Sequence, residues 1–481
     1  MKRAGLAGTR AYAALMWLLF LPAVPLIPSL GGYTRITGVK YALFLCLTLP
    51  WLLTALPETC RRLARRGPKP VPLFLLGFLA WSLAAALLSP WPAVALLGGG
   101  RHEGYLTLLL YGLGGLCFSA LWTPGRRPLL CPALGLGFLD LICLLQLLGK
   151  NPLGLYPPGM GWRDANILYP GSDLGTVGNA GTAAAVLCTA SALLFLGLLR
   201  RGGVRYLLLL PLLPAGWILG RMGVDAGVLA LAGLTLLAPA AAVRTFSQLG
   251  RWLLAAPLLL AALFPGLGFL LPLSPAGGLL LLLRREDAPL PPALRKLITG
   301  LTLAGAALAP LLILNASGGC PPLEEAGELL RGRVREDMGG GRIYIWRQVL
   351  ENVGRSPLVG FGPDTLGLLE LRPYAWYSPE TGKQVLSAID AAHCEYLQTL
   401  ICQGLPAALC HLGLALAALA RFLRRGDTPG GVCAGAALCY GIQALFGISS
   451  CAAAPLFWLL LGCSEAGDET AQPLANPGGL C

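Results

Sequence analysis

Charged residues are scarce in this chain: Asp, Glu, Lys and Arg make up 12% of its 481 residues. Soluble domains usually carry about 25%, so this composition cannot furnish a water-facing surface of ordinary extent. Histidine is scarcer still, with three in all. No Cys-x-x-Cys pair or Cys/His cluster has metal-ligand spacing, and no group of carboxylates gathers where a divalent ion would sit. Neither a metal nor another cofactor is therefore expected. The 15 cysteines are not a disulfide framework, because most of them, such as Cys46, Cys117, Cys143, Cys188 and Cys439, fall inside apolar runs. Cys320 and Cys394 flank one long polar stretch and could pair. Internal repeats are lacking too, which counts against a transporter built from inverted halves.

What fills the chain is apolar sequence. Hydrophobic residues make up 56% and the mean hydropathy is +0.68. Apolar spans run near 11–30, 41–57, 71–88, 104–123, 129–149, 179–199, 206–220, 223–242, 252–269, 270–283, 297–314, 395–420, 431–448 and 451–463. Runs of about 20 residues cross a hydrocarbon core as helices, and backbone groups in lipid must be satisfied within their own segment. The expected fold is all-α: a polytopic membrane bundle of about 12–14 helices with one large loop outside. The pair at 252–283 is ambiguous, because Pro265, Pro272 and Pro275 interrupt it. The expected organisation is membrane helices in 1–314, an extracytoplasmic loop domain in 315–394, further helices in 395–463, and a disordered cytoplasmic tail in 464–481. The first span lacks a convincing cleavage site after it and reads as an anchor.

The net charge of +13 invites a nucleic-acid reading, but the cations punctuate the spans instead of forming a patch, so no nucleic-acid partner is expected. With the N-terminus inside, most of the 36 Lys and Arg fall on the cytoplasmic face, from Arg10 and Arg61 through Arg200, Arg201, Arg205 and Arg244 to Arg425. The short outside loops hold a few, including Lys40, Arg101, Arg163 and Arg221. Both termini are then cytoplasmic.

The polar residues left over collect on the outer face. They are Gly98–Tyr105 with Arg101, the turn Gly220-Arg221-Met222-Gly223 with Asp225 just inside, Gly341–Arg347, Ser356–Gly362, and Asp390–Gln398. Arginine forks match phosphate oxygens, and an imidazole near neutrality can take a proton from an attacking hydroxyl. Arg221, Arg342, Arg101 and Arg347 are thus candidate phosphate ligands and His393 a candidate base, with Asp390, Tyr396, Trp346, Gly360 and Gly362 in support. His102 and His411 read as structural. The stretch Glu324–Arg335 reads as an amphipathic surface helix.

At these residues the chain resembles the O-antigen ligase/polymerase superfamily of membrane glycosyltransferases, in its Gram-positive forms. Gly220–Gly223 resembles that family's Ser-Arg-Gly turn, and Arg342–Gly362 its Arg, Trp and Pro-Leu-x-Gly-x-Gly pattern. Asp390–Gln398 resembles its His-Asn-x-Tyr-Leu-Gln segment, and Gly100–Gly104 its Gly-Arg-x-Glu-Gly loop. The resemblance implies a C-type glycosyltransferase-like fold in the bacterial plasma membrane and a polyprenyl-diphosphate-linked glycan donor. It also implies a glycan or glycolipid acceptor, activated by His393 on the outer face. The chain departs from the pattern at Cys394, where the family has Asn, and at Gly220, where it has Ser. Cysteine lacks the paired donor and acceptor of an amide, which puts the acceptor in question. The rival readings are a multi-pass transporter and a non-catalytic envelope-assembly scaffold.

Overall fold

A computed structural model describes residues 2–20, 32–65, 69–124, 128–156, 174–283, 287–315, 321–378 and 382–466. The first part is helical throughout: α1 (Lys2–Leu15), α2 (Ile36–Arg65), α3 (Pro70–Leu87), α4 (Pro92–Leu97), α5 (Tyr105–Leu121) and α6 (Leu130–Leu147). Then come α7 (Ala180–Arg200), α8 (Leu209–Arg221), α9 (Asp225–Ala242), α10 (Phe246–Leu263), α11 (Leu273–Leu283) and α12 (Pro292–Asn315). After α13 (Pro321–Leu330) and α14 (Met338–Val353), a hairpin of β1 (Tyr374–Ser378) and β2 (Lys383–Ser387) precedes α15 (Glu395–Arg425), α16 (Pro429–Gln443) and α17 (Ala454–Ala466).

Among the described residues nine helices are long and apolar enough to cross a membrane, and α5, α11 and α17 are shorter apolar helices. The protein is an all-α, multi-pass membrane protein. Its outer surface shows the inversion lipid requires: Leu53 is 79% exposed, Leu282 76% and Leu210 71%. In water such leucines would be costly, while against acyl chains they are solvated. At the centre stands α7, whose apolar window is wholly buried. Its N-cap is made locally, as the Asn179 side chain accepts the Thr182 N–H at 3.1 Å. Small residues bring backbones together elsewhere. A Cβ on Gly462 of α17 would strike the Gly115 carbonyl of α5, and one on Gly413 of α15 would meet the Phe74 ring of α3.

The ambiguous pair at 252–283 folds as a helical hairpin. Gly277 of α11 lies against Gly250 and Leu254 of α10. The ends are tied together, with Phe246 N–H donating to the Ala288 carbonyl at 3.0 Å and Leu290 N–H to the Arg244 carbonyl at 2.9 Å. The chain therefore returns to the end of the bundle from which it left.

The two ends differ chemically. At one, Arg62 bonds Glu58 at 3.0 Å, Arg251 donates to the Leu199 carbonyl at 2.8 Å, and Glu465 lies within 4.0 Å of Lys69 and 3.9 Å of Arg421. Helices α7, α9 and α15 run from the opposite end to this one. Lys40, expected in an outside loop, instead sits in the first turns of α2, fully buried.

The segment between α12 and α15 has its own small core, in which Ile345 and Val349 of α14 meet Phe361, Leu366 and Ile389. Of the expected amphipathic stretch Glu324–Arg335, the part up to Leu330 lies in α13 (Pro321–Leu330), and the remainder is turn and irregular chain. Cys394 is a free thiol. Cys320, its suggested partner, lies outside the described residues, as do Arg163 and the tail beyond residue 466.

Candidate functional site

Helix α15 begins where the loop domain meets the bundle, and the residue two before it is His393. Its backbone holds a left-handed conformation, φ +50°, which costs a non-glycine residue free energy and persists where surrounding contacts over-determine it. Those contacts are present on both sides. The Trp346 indole N–H donates to the Ala392 carbonyl at 3.0 Å, and the Ala392 N–H donates to Gln398 Oε1 at 2.8 Å. The Glu395 N–H donates to the Ala444 carbonyl at 2.8 Å.

The imidazole lines a cavity of about 430 Å³ at the ends of α7 and α9, roofed by α13 and α14. Arg342, Trp346, Asp225 and Glu325 also line it. Arg342 follows three consecutive left-handed glycines, Gly339, Gly340 and Gly341, at φ +63°, +67° and +86°. Only glycine takes such a run without strain, and a Cβ on Gly341 would also strike the Tyr374 ring. The tight turn lets Arg342 Nη1 donate to the Gly339 carbonyl at 2.6 Å. Its Nε is buried without a hydrogen-bond acceptor.

Electrostatics set the protonation state of the pair. Burial, reinforced by the Arg342 and Arg101 guanidinium groups and opposed by Asp390, pushes the His393 imidazole down to about 4. It is neutral at physiological pH, and so able to accept a proton, but as a weaker base than the near-neutral imidazole expected from the sequence. Burial also lowers Arg342, while Asp225 and Glu325 hold it up. A guanidinium so placed stays charged.

The structure brings together His393, Arg342 and Trp346 as lining residues and leaves the other expected residues outside that cavity, with Arg101 and Asp390 near enough to act on the imidazole's charge. Arg101 pairs with Asp390 at 2.7 Å and lines an adjoining space of about 50 Å³ with Glu103, Asp364 and Glu395. Arg347 is exposed and holds Glu336 at 2.9 Å and Glu351 at 3.2 Å. Arg221 lies 5.1 Å over its own Trp217 ring and is not among the residues lining the His393 cavity. The Gly220–Gly223 turn delivers Asp225 to that cavity instead. Tyr396 donates to the Gly441 carbonyl at 2.9 Å and so ties α15 to α16.

Gly360 and Gly362, at φ +66° and +106°, serve a different contact. Helix α15 is broken at Gly404, φ +80°, and the loop Pro357–Gly362 fills the break. Phe361 N–H donates to the Ile401 carbonyl at 3.1 Å and Gly362 N–H to that of Cys402 at 2.6 Å. Leu405 N–H donates to the Pro357 carbonyl at 2.9 Å. A Cβ on Gly360 would collide with the Cys402 and Gln403 backbone.

Sequence reasoning missed Glu325, assigned to a solvated face, and the buried role of Glu103. Glu325 Oε2 accepts the Gly339 N–H at 2.8 Å and so braces the glycine turn under Arg342. Glu103 accepts from Tyr111 at 2.8 Å and Ser449 at 2.7 Å, and burial pushes it up to about 7. The other histidines, read from the sequence as structural, do not line the His393 cavity. His102 stacks on Tyr41 with centroids 4.6 Å apart, and His411 shares a 3.0 Å bond with Thr399. Cys394 is buried and does not line the His393 cavity.

No protein-family profile matches the chain, and no curated protein is significantly similar to it. The cavity therefore has to be read from its own chemistry. It offers a neutral, half-buried imidazole with a charged guanidinium beside it. The balance of the remaining charge, Asp225 and Glu325 against Arg342, means that an anion binding here must compete with two carboxylates.

Proposed function

We propose that the protein is a membrane glycosyltransferase, moving a glycan from a polyprenyl-diphosphate carrier to an acceptor hydroxyl, in the manner of the O-antigen ligase/polymerase superfamily that its motifs resemble. The observation that carries this reading is the neutral His393 imidazole, pinned on both sides of its backbone, in a cavity shared with Arg342. The acceptor oxygen bonds the anomeric carbon as the bond from that carbon to the diphosphate oxygen breaks, with inversion. His393 takes the acceptor's proton, and the carrier diphosphate leaves with the electron pair. Arg342 offsets the charge that builds on the leaving oxygen, and a positioned base of this kind contributes roughly 10²–10⁴-fold. The site faces outside, because the opposite end carries the arginines that positive-inside orientation places in the cytoplasm.

The test compares lipid-linked and surface glycans in cells carrying the wild-type gene or a His393→Ala allele. Long chains accumulating on the carrier identify a ligase, and single repeat units a polymerase. Unchanged pools, with the variant present at normal level, refute the catalytic assignment.

A second reading, transport, draws on the buried polar groups beside the cavity. Glu103 sits with Tyr111 and Ser449, and Glu395 accepts from Tyr440 at 2.8 Å. Buried ionisable residues of membrane helices often mark ion pathways. Substrate flux in sealed liposomes without glycan transfer would favour it.

A further inference from the structure

At the arginine-rich end of the bundle a second cavity, of about 520 Å³, opens between α1, α6, α7, α16 and α17. The reaction proposed above makes no use of it. Leu193, Val432, Leu459 and Leu460 make its walls apolar, and the indoles of Trp17 and Trp122 stand among them. Arg10, Arg200, Arg201 and Arg205 also line it, and among the described residues no Asp or Glu does.

The contacts these arginines make leave most of their five N–H donors uncommitted. Arg10 donates to the Thr123 carbonyl at 3.1 Å and hydroxyl at 2.6 Å. Arg205 donates to the Gly197 carbonyl at 2.7 Å. Arg200 donates to the backbone carbonyl of Asp427 at 3.2 Å, while the Asp427 carboxylate lies 4.0 Å from Arg244. Every one of these acceptors is a neutral oxygen. Positive-inside orientation accounts for arginines at this end, but it does not require a cavity with apolar walls among them.

A groove of about 910 Å³ on the flank of α6 and α8 shares Pro128, Leu129 and Arg205 with this cavity. Its other walls include Leu134, Leu207 and Leu210 with a single carboxyl among them, Asp140, so a molecule dissolved in the bilayer reaches Arg205 sideways, along a mainly apolar wall. A soluble ion has no need of such a route.

We propose that this cavity binds an anionic phospholipid, its phosphate held by Arg200, Arg201 and Arg205 and its acyl chains lying against Leu459, Leu460 and the shared groove. Guanidinium forks suit phosphate oxygens, and basic pockets between membrane helices on the cytoplasmic side take acidic headgroups.

The full-length protein in phosphatidylcholine nanodiscs provides the test, with phosphatidylglycerol of matched chains titrated in and binding read by native mass spectrometry and thermal midpoint. Saturable binding of phosphatidylglycerol with a raised midpoint is expected. Arg200→Gln, Arg201→Gln and Arg205→Gln should each weaken it roughly fivefold, while Arg205→Lys keeps the preference. Arg201 is exposed, so its variant remains informative where the other two fail to accumulate. Equal response to both lipids, or an undiminished phosphatidylglycerol preference in Arg201→Gln and the triple variant, overturns the proposal. Inorganic phosphate reproducing the full shift overturns it also, by assigning the site to a soluble anion. The readout involves no glycan, so its outcome is independent of the transferase reading.

Discussion

The indole of Trp346 donates to the carbonyl of Ala392 at 3.0 Å, one residue ahead of His393. This bond ties α14 to the residues just ahead of α15, and it holds the peptide from which His393 turns into its left-handed conformation. Trp346→Phe keeps the ring and loses the bond. The expected result is a fall in kcat of about tenfold with KM nearly unchanged, as for other losses of positioning. Steady-state kinetics on the reconstituted protein would check it. A proportionate rise in KM would mean that Trp346 contacts substrate instead.

His393 also sets an expectation for pH. An imidazole lowered to about 4 stays neutral through the range where a free histidine, near 6.5, would gain a proton. The acid limb of kcat/KM should therefore fall close to pH 4 and not near 6.5. The corresponding stability sign is definite. The unfolded state binds the extra proton between these values, so the contribution of His393 to folding stability rises with pH across that window. An acid limb centred at 6.5 would place His393 in water.

Arg342 and Arg221 separate cleanly. Arg342 lines the cavity and Arg221 stacks on Trp217. Arg342→Ala is expected to reduce turnover on the order of 100-fold, in the range for removal of a transition-state charge partner. Arg342→Lys should restore little of it, because the fork is lost. Arg221→Ala should cost less than Arg342→Ala, and a glycan-transfer assay on both variants would decide. The reverse order would restore Arg221 as the principal diphosphate ligand.

How much of this was legible beforehand follows from the kind of force involved. The helices were readable because lipid allows few other arrangements of an apolar run. The hairpin α10–α11 was not, since Pro265 and Pro272 punctuate a broken helix and a reversal equally well. The assembly of His393, Arg342 and Trp346 was legible from motif order. The placement of Arg221 was not, because a long side chain at a helix end has several directions open and a neighbouring indole decided among them. Glu325 left no local signal, as its partner Gly339 lies in the next helix and meets it through tertiary packing.

Glu103 gives a prediction with the opposite sign to His393. Burial holds its carboxyl at about 7, above the usual 4.3. The folded state then binds the extra proton, and stability falls as pH rises from about 4 to about 7. Glu103→Gln should flatten the dependence of the thermal midpoint on pH over that window and raise the midpoint at pH 8. A midpoint lowered at every pH would show that the carboxylate itself is required.

Gly404 is a doubly constrained position. It combines φ +80° with a site where a Cβ would collide with the Leu358 carbonyl. Gly404→Ala should destabilise the protein by about 3 kcal/mol or more, as strain and steric conflict together do. Loss of folded protein in membranes, read by fluorescence-detected gel filtration, would reveal it.

The joined ends of the α10–α11 hairpin carry a consequence for how such a chain can change length. Arg244 and Leu290 meet through a hydrogen bond, so everything between them is an excursion that starts and finishes at one place. Deleting that excursion, or inserting a second copy, leaves every later helix running in its present direction. What opposes such a change is only the packing of α10 on its neighbours. Growth and loss by helical pairs is thereby an open evolutionary route for this bundle, while gain or loss of a single helix would turn the loop domain to the wrong side.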